Sequence, residues 1–159
     1  METKILIDAL KAHPFLEGFR PEDIEKLAGM AFQVRFDVDQ MIFREGDESS
    51  FFYLLLDGKV ALETHAPGRT LRIQTLGPGD ELGWSSVLSP VRKQFQARAL
   101  EPVKALAFDG ARLLEACNTD CGFGLALMRR VLGIVAERLQ ATRVQLLDIY
   151  KKPAGVKTA

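Results

Sequence analysis

Leu76-Gly-Pro-Gly-Asp-Glu-Leu-Gly83-Trp-Ser-Ser-Val-Leu-Ser-Pro-Val-Arg92-Lys-Gln-Phe-Gln-Ala-Arg-Ala99 is the stretch around which the rest of the chain is organised. A strand-like run ends in a glycine-rich turn, Gly77 to Gly79. A segment suited to one helical turn follows Gly83, and two cations, Arg92 and Lys93, precede the next alternating run. A helix start offers unpaired backbone N–H groups and a partial positive charge, so it receives an anion. Nearby cations reinforce that. The same pattern also serves as a plain structural turn in an all-β domain, so its surroundings decide.

Upstream, apolar and polar residues alternate over Phe32–Phe36 as in a half-buried strand. Met41–Phe43 reads as a second strand and Arg44–Ser50 as a loop. Phe51–Leu56 is a near-continuous apolar run closed by Asp57-Gly58, a hairpin signal. Lys59–Glu63 alternates, Ala66–Arg69 is a turn, and Leu71, Ile73 and Thr75 alternate into the opening stretch. Phe95–Leu100 and Val103–Phe108 supply two more strands. Short strands about ten residues apart, with glycine turns between them, predict a barrel or sandwich.

Helical patterns flank these strands. Ile5, Leu6, Ala9 and Leu10 recur at helical spacing before Pro14. Arg20-Pro21-Glu22-Asp23 is a helix entry whose buried stripe is Ile24, Leu27 and Ala28. Gly110–Ala116 reads as a short helix, and Asn118-Thr119-Asp120 offers N-caps for a long one over about 122–150. Met128, Leu132, Val135, Leu139, Thr142, Leu146 and Ile149 fall at alternating steps of four and three, a heptad seam. Leu127, Val131 and Ile134 make a second stripe beside it. One stripe is expected to pack on the strands. The seam, with Met128, Leu132, Val135, Leu139 and Leu146 at its centre, is expected to pair with a second copy as a parallel homodimer.

Composition narrows the function classes. The 159 residues, 47% apolar, suffice for one core, and 21 basic against 21 acidic residues leave no net charge. The N-terminus lacks a secretion core and no run of about 18 apolar residues exists, so a cytoplasmic protein that does not span the membrane is expected. His13 precedes a proline and His65 is placed in a hairpin turn. Neither joins a nucleophile, acid or metal constellation, so no catalytic and no metal residue is assigned. Cys117 and Cys121 read more as buried small hydrophobes than as a metal or redox pair.

Helices, a glycine-punctuated run of strands and a long helix together resemble the cyclic nucleotide-binding domain of the Crp/Fnr type. The residues that carry the resemblance are Ile42-Phe-Arg-Glu-Gly46-Asp, Phe52-Tyr-Leu-Leu-Leu-Asp-Gly58-Lys-Val, Leu76-Gly-Pro-Gly79-Asp, Gly83 and Ala97-Arg-Ala99. The resemblance implies a mainly β fold, a double-stranded β-roll or jelly roll with flanking helices and a long C-terminal helix. It places helices over 1–30, the β-roll over 31–109, C-terminal helices over 110–150 and a tail over 151–159, all in one domain over 1–159. It further implies a usually bacterial, non-enzymatic regulatory module in signal transduction, whose opening stretch is the phosphate-binding cassette and whose ligand is cyclic AMP or cyclic GMP.

The cassette departs from that pattern. Where nucleotide-binding members carry Gly-Glu for the ribose, Gly83 is followed by Trp84, which removes a charge-assisted contact of roughly 1.5–3 kcal/mol. Where they carry Arg-Ser-Ala or Arg-Thr-Ala, the alignment on Ala97-Arg-Ala99 sets Lys93-Gln94-Phe95, so a point charge replaces a bidentate fork. Arg92 is one residue off and faces the other way if extended. The candidate ligand-binding set is therefore Gly83, Trp84, Ser85, Ser86, Arg92, Lys93 and Gln94, with an anion or an aromatic acid as alternatives to the nucleotide. The other reading is a ligand-independent dimeric interaction module whose pocket Trp84 and Phe95 plug. Nine residues after Tyr150 leave no room for a helix-turn-helix reader, so direct DNA binding is not expected and output through a partner protein, unidentified, is.

Overall fold

The structure, a computed structural model, describes residues 2–88 and 92–156, with side chains to Lys151. Eight strands form two four-stranded antiparallel sheets. One sheet orders β1 (Phe32–Phe36), β8 (Val103–Asp109), β3 (Phe51–Asp57) and β6 (Glu81–Leu82). The other orders β2 (Met41–Phe43), β7 (Gln96–Ala99), β4 (Val60–Ala66) and β5 (Arg69–Leu76). Helices α1 (Glu2–Ala12) and α2 (Pro21–Ala28), and α3 (Gly110–Thr119) and α4 (Cys121–Val156), flank the strands at either end of the chain.

The unbroken apolar run in β3 reflects a sheet covered on both faces. Phe52 and Leu54, with Leu106 and Phe108 of β8, face a helical core containing Leu10, Phe15, Leu27, Phe123, Leu127, Val131 and Ile134. Tyr53 and Leu55, with Val103, Ala105 and Ala107, face the interior of the roll against Val60, Leu62, Leu76 and Ala97. The strand period of two sends neighbouring residues to different cores. Alanines at 97, 99, 105 and 107 let the two sheets approach closely. Gly58 turns the β3–β4 hairpin at φ +87°, and a Cβ there would lie 2.3 Å from the carbonyl oxygen of Pro102.

Local chemistry sets the helix boundaries. Pro21 occupies the first turn of α2, with Glu22 and Asp23 beside it. Asp109 caps α3 by accepting from the amides of Ala111 and Arg112. Of the three candidate caps before α4, Asp120 does the work, its Oδ1 accepting from the Phe123 amide at 3.2 Å.

The strand and helix pattern agrees with the sequence expectation except at four places. A two-residue strand, β6, pairs with Tyr53 and Leu54 and is too short to carry an alternation. Pro14 opens a 3-10 turn, Pro14–Leu16, rather than only closing α1. His65 lies within β4, its amide bound to Glu45, not in the turn itself. α4 continues through Pro153 to Val156, which places most of the expected tail inside the helix; residues 157–159 lie outside the described residues. The cysteines are not buried as a core pair: Cys121 is exposed and Cys117 half-buried, where burial raises its thiol pKa.

Candidate functional site

The cassette hangs between β6 and β7. Gly77 to Asp80 turns the chain, with Asp80 accepting from the Gly77 amide at 2.9 Å, and β6 then delivers Gly83 at φ +86°. A Cβ at residue 83 would sit 2.3 Å from the Phe51 carbonyl oxygen and 3.1 Å from Lys93 Nζ. Glycine is therefore required for the left-handed turn and for the close approach of Phe51. Trp84–Val87 follows as a single 3-10 turn, with Ser85 and Ser86 buried and Trp84 packed against the helical core.

Lys93 points inward and Arg92 outward. The backbone enforces this: the Lys93 amide donates to Asp47 at 3.0 Å, and the Lys93 carbonyl accepts from Gly46 at 2.9 Å. Arg92 is exposed, donating to the Gly46 carbonyl at 3.0 Å and lying 3.9 Å from Glu48. Lys93 is 6% exposed, and its ammonium lies 4.2 Å over the Phe43 ring with no hydrogen-bond partner among the described residues. Burial pulls its pKa down to about 8, opposed by the charge of Asp47.

These residues do not form one pocket. Gly83, Trp84, Ser85, Lys93 and Gln94 surround a cavity of about 20 Å³, closed by Phe43, Phe95 and Arg138. That space holds roughly one water-sized group. Ser85, Ser86 and Arg92 border a separate, open cavity of about 680 Å³ with Glu48, Ser49, Asp109 and Asn118. The Ser85 hydroxyl meets that of Ser49 at 2.5 Å, whereas the Ser86 hydroxyl is buried without a partner among the described residues.

Two residues absent from the sequence-derived set tie the cassette to the long helix. Arg138 of α4 is 3% exposed; it donates to Gln74 Oε1 of β5 at 2.9 Å, to the Glu81 carbonyl at 3.0 Å and to Glu81 Oε1 at 3.4 Å. Burial raises the Glu81 carboxyl to about 7, against the attraction of Arg138 and with the like charges of Asp80 and Glu137. A charged residue in register with the buried stripe Leu127, Val131 and Ile134 was the available signal.

The seam residues divide. Met128 and Val135 are half-buried against the helical core, while Leu132, Leu139 and Leu146 are 68%, 71% and 54% exposed. Leu125, seven residues before Leu132, extends this outer row and is 58% exposed. Among the described residues no cluster of three or more His, Cys, Asp or Glu side chains is arranged to hold a metal, and no helix is long and apolar enough to cross a membrane.

Residues 33–120, more than half of the chain, match the family model of the cyclic nucleotide-binding domain. The chain is 26% identical over 134 residues to a CRP-like cAMP-activated global transcriptional regulator of Mycobacterium tuberculosis, covering 84% of this chain and 58% of that protein. It is 35% identical over 100 residues to the cyclic AMP receptor protein of Thermus thermophilus, covering 62% and 46%. The chain thus spans about half the length of these curated relatives. Among solved structures, the N-terminal domain of a transcriptional regulator from Streptomyces coelicolor A3(2) superposes with a TM-score of 0.67 at 28% identity, over 87% of this chain and 95% of that one.

Proposed function

The chain belongs to the cyclic nucleotide-binding domain family, and from that premise we propose that it is a non-enzymatic regulatory module whose cassette has left ordinary nucleotide recognition. It senses a small anionic ligand through Lys93 and passes the state of the cassette to α4, which pairs two copies and presents them to a partner protein. The observation that carries this reading is the buried Lys93 ammonium, without a hydrogen-bond partner among the described residues, in a cavity that also touches Arg138 of α4. A buried cation whose burial outweighs the attraction of Asp47 is costly, so an anion that reaches it is favoured, and the benefit arises beside the long helix. The relatives' cyclic AMP reaches this chain only as an expectation that the cassette weakens: with about 20 Å³ available, a cyclic nucleotide has to displace Trp84 or Phe95.

Candidate ligand contacts under this reading are Gly83, Trp84, Ser85, Lys93 and Gln94, with Ser86 and Arg92 on the outer cavity. The seam of Leu125, Leu132, Leu139 and Leu146 supports the homodimer, because four leucines on a seven-residue repeat stand exposed along one helix. The tightness of the small cavity favours a second reading, a dimeric interaction module that works without ligand.

Titration with cyclic AMP, cyclic GMP and a panel of small organic and inorganic anions separates the two readings. Trp84, the single tryptophan, reports the cassette, and thermal stability reports binding. Saturable stabilisation by an anion, lost in Lys93→Met, is the expected result. Tight cyclic AMP binding overturns the departure from nucleotides, and no response to any ligand overturns sensing in favour of the interaction module.

A further inference from the structure

The small cavity of the cassette is walled mostly by carbon, with Phe43, Leu62, Leu82, Trp84 and Phe95 around it. Its charged members are Lys93 and Arg138, and no carboxylate lines it among the described residues. The two cations differ in what offsets them. Arg138 donates to Gln74 Oε1, to the Glu81 carbonyl and, at 3.4 Å, to the Glu81 carboxyl, so its charge is met within the fold. The Lys93 ammonium rests 4.2 Å over the Phe43 ring and has no hydrogen-bond partner among the described residues. Asp47 attracts it, but that carboxylate is exposed and accepts from the Arg44 amide at 2.9 Å. Gly83 keeps the ammonium clear on one side, since a Cβ there would lie 3.1 Å from Nζ.

Charge and size together select the ligand. One buried positive charge without a contact partner is neutralised by one negative charge, and a second negative charge would itself be buried unpaired. The volume of about 20 Å³ takes roughly one water-sized centre. Phosphate esters, sulfate and carboxylates bring several heavy atoms and have to push Trp84 or Phe95 aside. A halide is a single atom, accepts from N–H donors in any direction, and is compatible with the positive edges of aromatic rings. From this geometry we infer that the cassette binds one monatomic monovalent anion, chloride or bromide, against the Lys93 ammonium, with Arg138 as the second cation of the same cavity.

The inference rests on the reading of Lys93 as the ligand-sensing residue and names the class of ligand. In so small a cavity any occupant lies close to both cations, one from the approach to β7 and one from α4. A bound anion is attracted to both elements at once, so it ties the cassette to the long helix. Trp84 and Phe95 then determine specificity by setting the upper size of the anion. Phe95→Ala opens the cavity and moves the preference from halide toward a polyatomic monoanion such as nitrate.

The full chain is titrated at pH 7 with sodium chloride or sodium bromide in place of sodium gluconate. Ionic strength is held constant, so screening of surface charges does not change. Melting temperature and the fluorescence of Trp84, the single tryptophan, are followed. A saturable rise of roughly 3–6 °C at ten times the apparent dissociation constant is expected. Bromide is expected to quench Trp84 saturably rather than in linear proportion to its concentration. Both responses are lost in Lys93→Met, and nitrate overtakes bromide in Phe95→Ala. Wild-type responses that do not saturate with either halide, or that saturate equally in Lys93→Met, overturn the proposal. If a larger organic anion saturates where halides do not, the proposal falls and anion sensing stands. If a halide saturates but leaves hydrogen exchange of the amides over 134–142 unchanged, the proposal stands and signalling through α4 falls. The wild-type titration decides the question even where Phe95→Ala fails to fold.

Discussion

Lys93 offers the sharpest test of the cassette. Its pKa falls from the ordinary lysine value of 10.5 to about 8 because burial disfavours the ammonium. Between those values the unfolded chain binds more protons than the folded one, so stability rises with pH across the window from about 8 to 10.5. The interval corresponds to about 3 kcal/mol when fully traversed. Below pH 8 that amount is a standing cost of holding the charged lysine inside. Replacing the ammonium with a methyl thioether of similar length, Lys93→Met, removes the cost and keeps contact with Phe43. The variant is expected to be more stable than wild type by about 1–3 kcal/mol at pH 7, a rise of several degrees in melting temperature. Its advantage shrinks as pH approaches 10.5. Chemical denaturation at pH 7, 8.5 and 10 measures both quantities. A variant less stable than wild type at pH 7, or a wild type whose stability does not rise between pH 8 and 10, refutes the reasoning and means that Lys93 has a partner in solution.

Other expectations address the helix and the turn. Leu139→Glu places charge on a side chain that is 71% exposed in one copy, so monomer stability changes by within about 0.5 kcal/mol. Self-association through the seam is lost, and sedimentation velocity at micromolar concentration reports it; a wild type that sediments as a monomer refutes the pairing. Gly83→Ala meets the Phe51 carbonyl at 2.3 Å from a backbone at φ +86°, and a loss of about 2 kcal/mol or more is expected in denaturant unfolding. An unchanged midpoint would mean that β6 and the cassette turn adjust freely.

The fold was legible in the sequence because its signals are local. The apolar runs, the two-residue alternation of β1 and β5, the Asp57-Gly58 turn and the punctuation at Gly77, Gly79 and Gly83 are each set within a few residues, whereas the alternation expected over Lys59–Glu63 gives way to four successive buried residues, Val60 to Glu63, in β4. β6 escaped because two residues cannot express a period, and its pairing with Tyr53 and Leu54 is long-range. The end of α4 escaped because Pro153 signals a break, while the helix runs on to Val156.

What the chain's own order determined is the address of the cassette and the residue types that occupy it, including Trp84 and the offset pair Arg92 and Lys93. Tertiary structure decided what those residues meet. Backbone pairing with Gly46 and Asp47 turned Lys93 inward, and the packing of Phe43, Trp84 and Phe95 reduced its pocket to about 20 Å³. Folding also brought Glu81 and Arg138, 57 positions apart, into one buried contact. The register of Arg138 with the buried stripe marks it as inward-facing, but no local pattern names its partner, because the attraction that offsets their removal from water arises only when α4 lies against the roll.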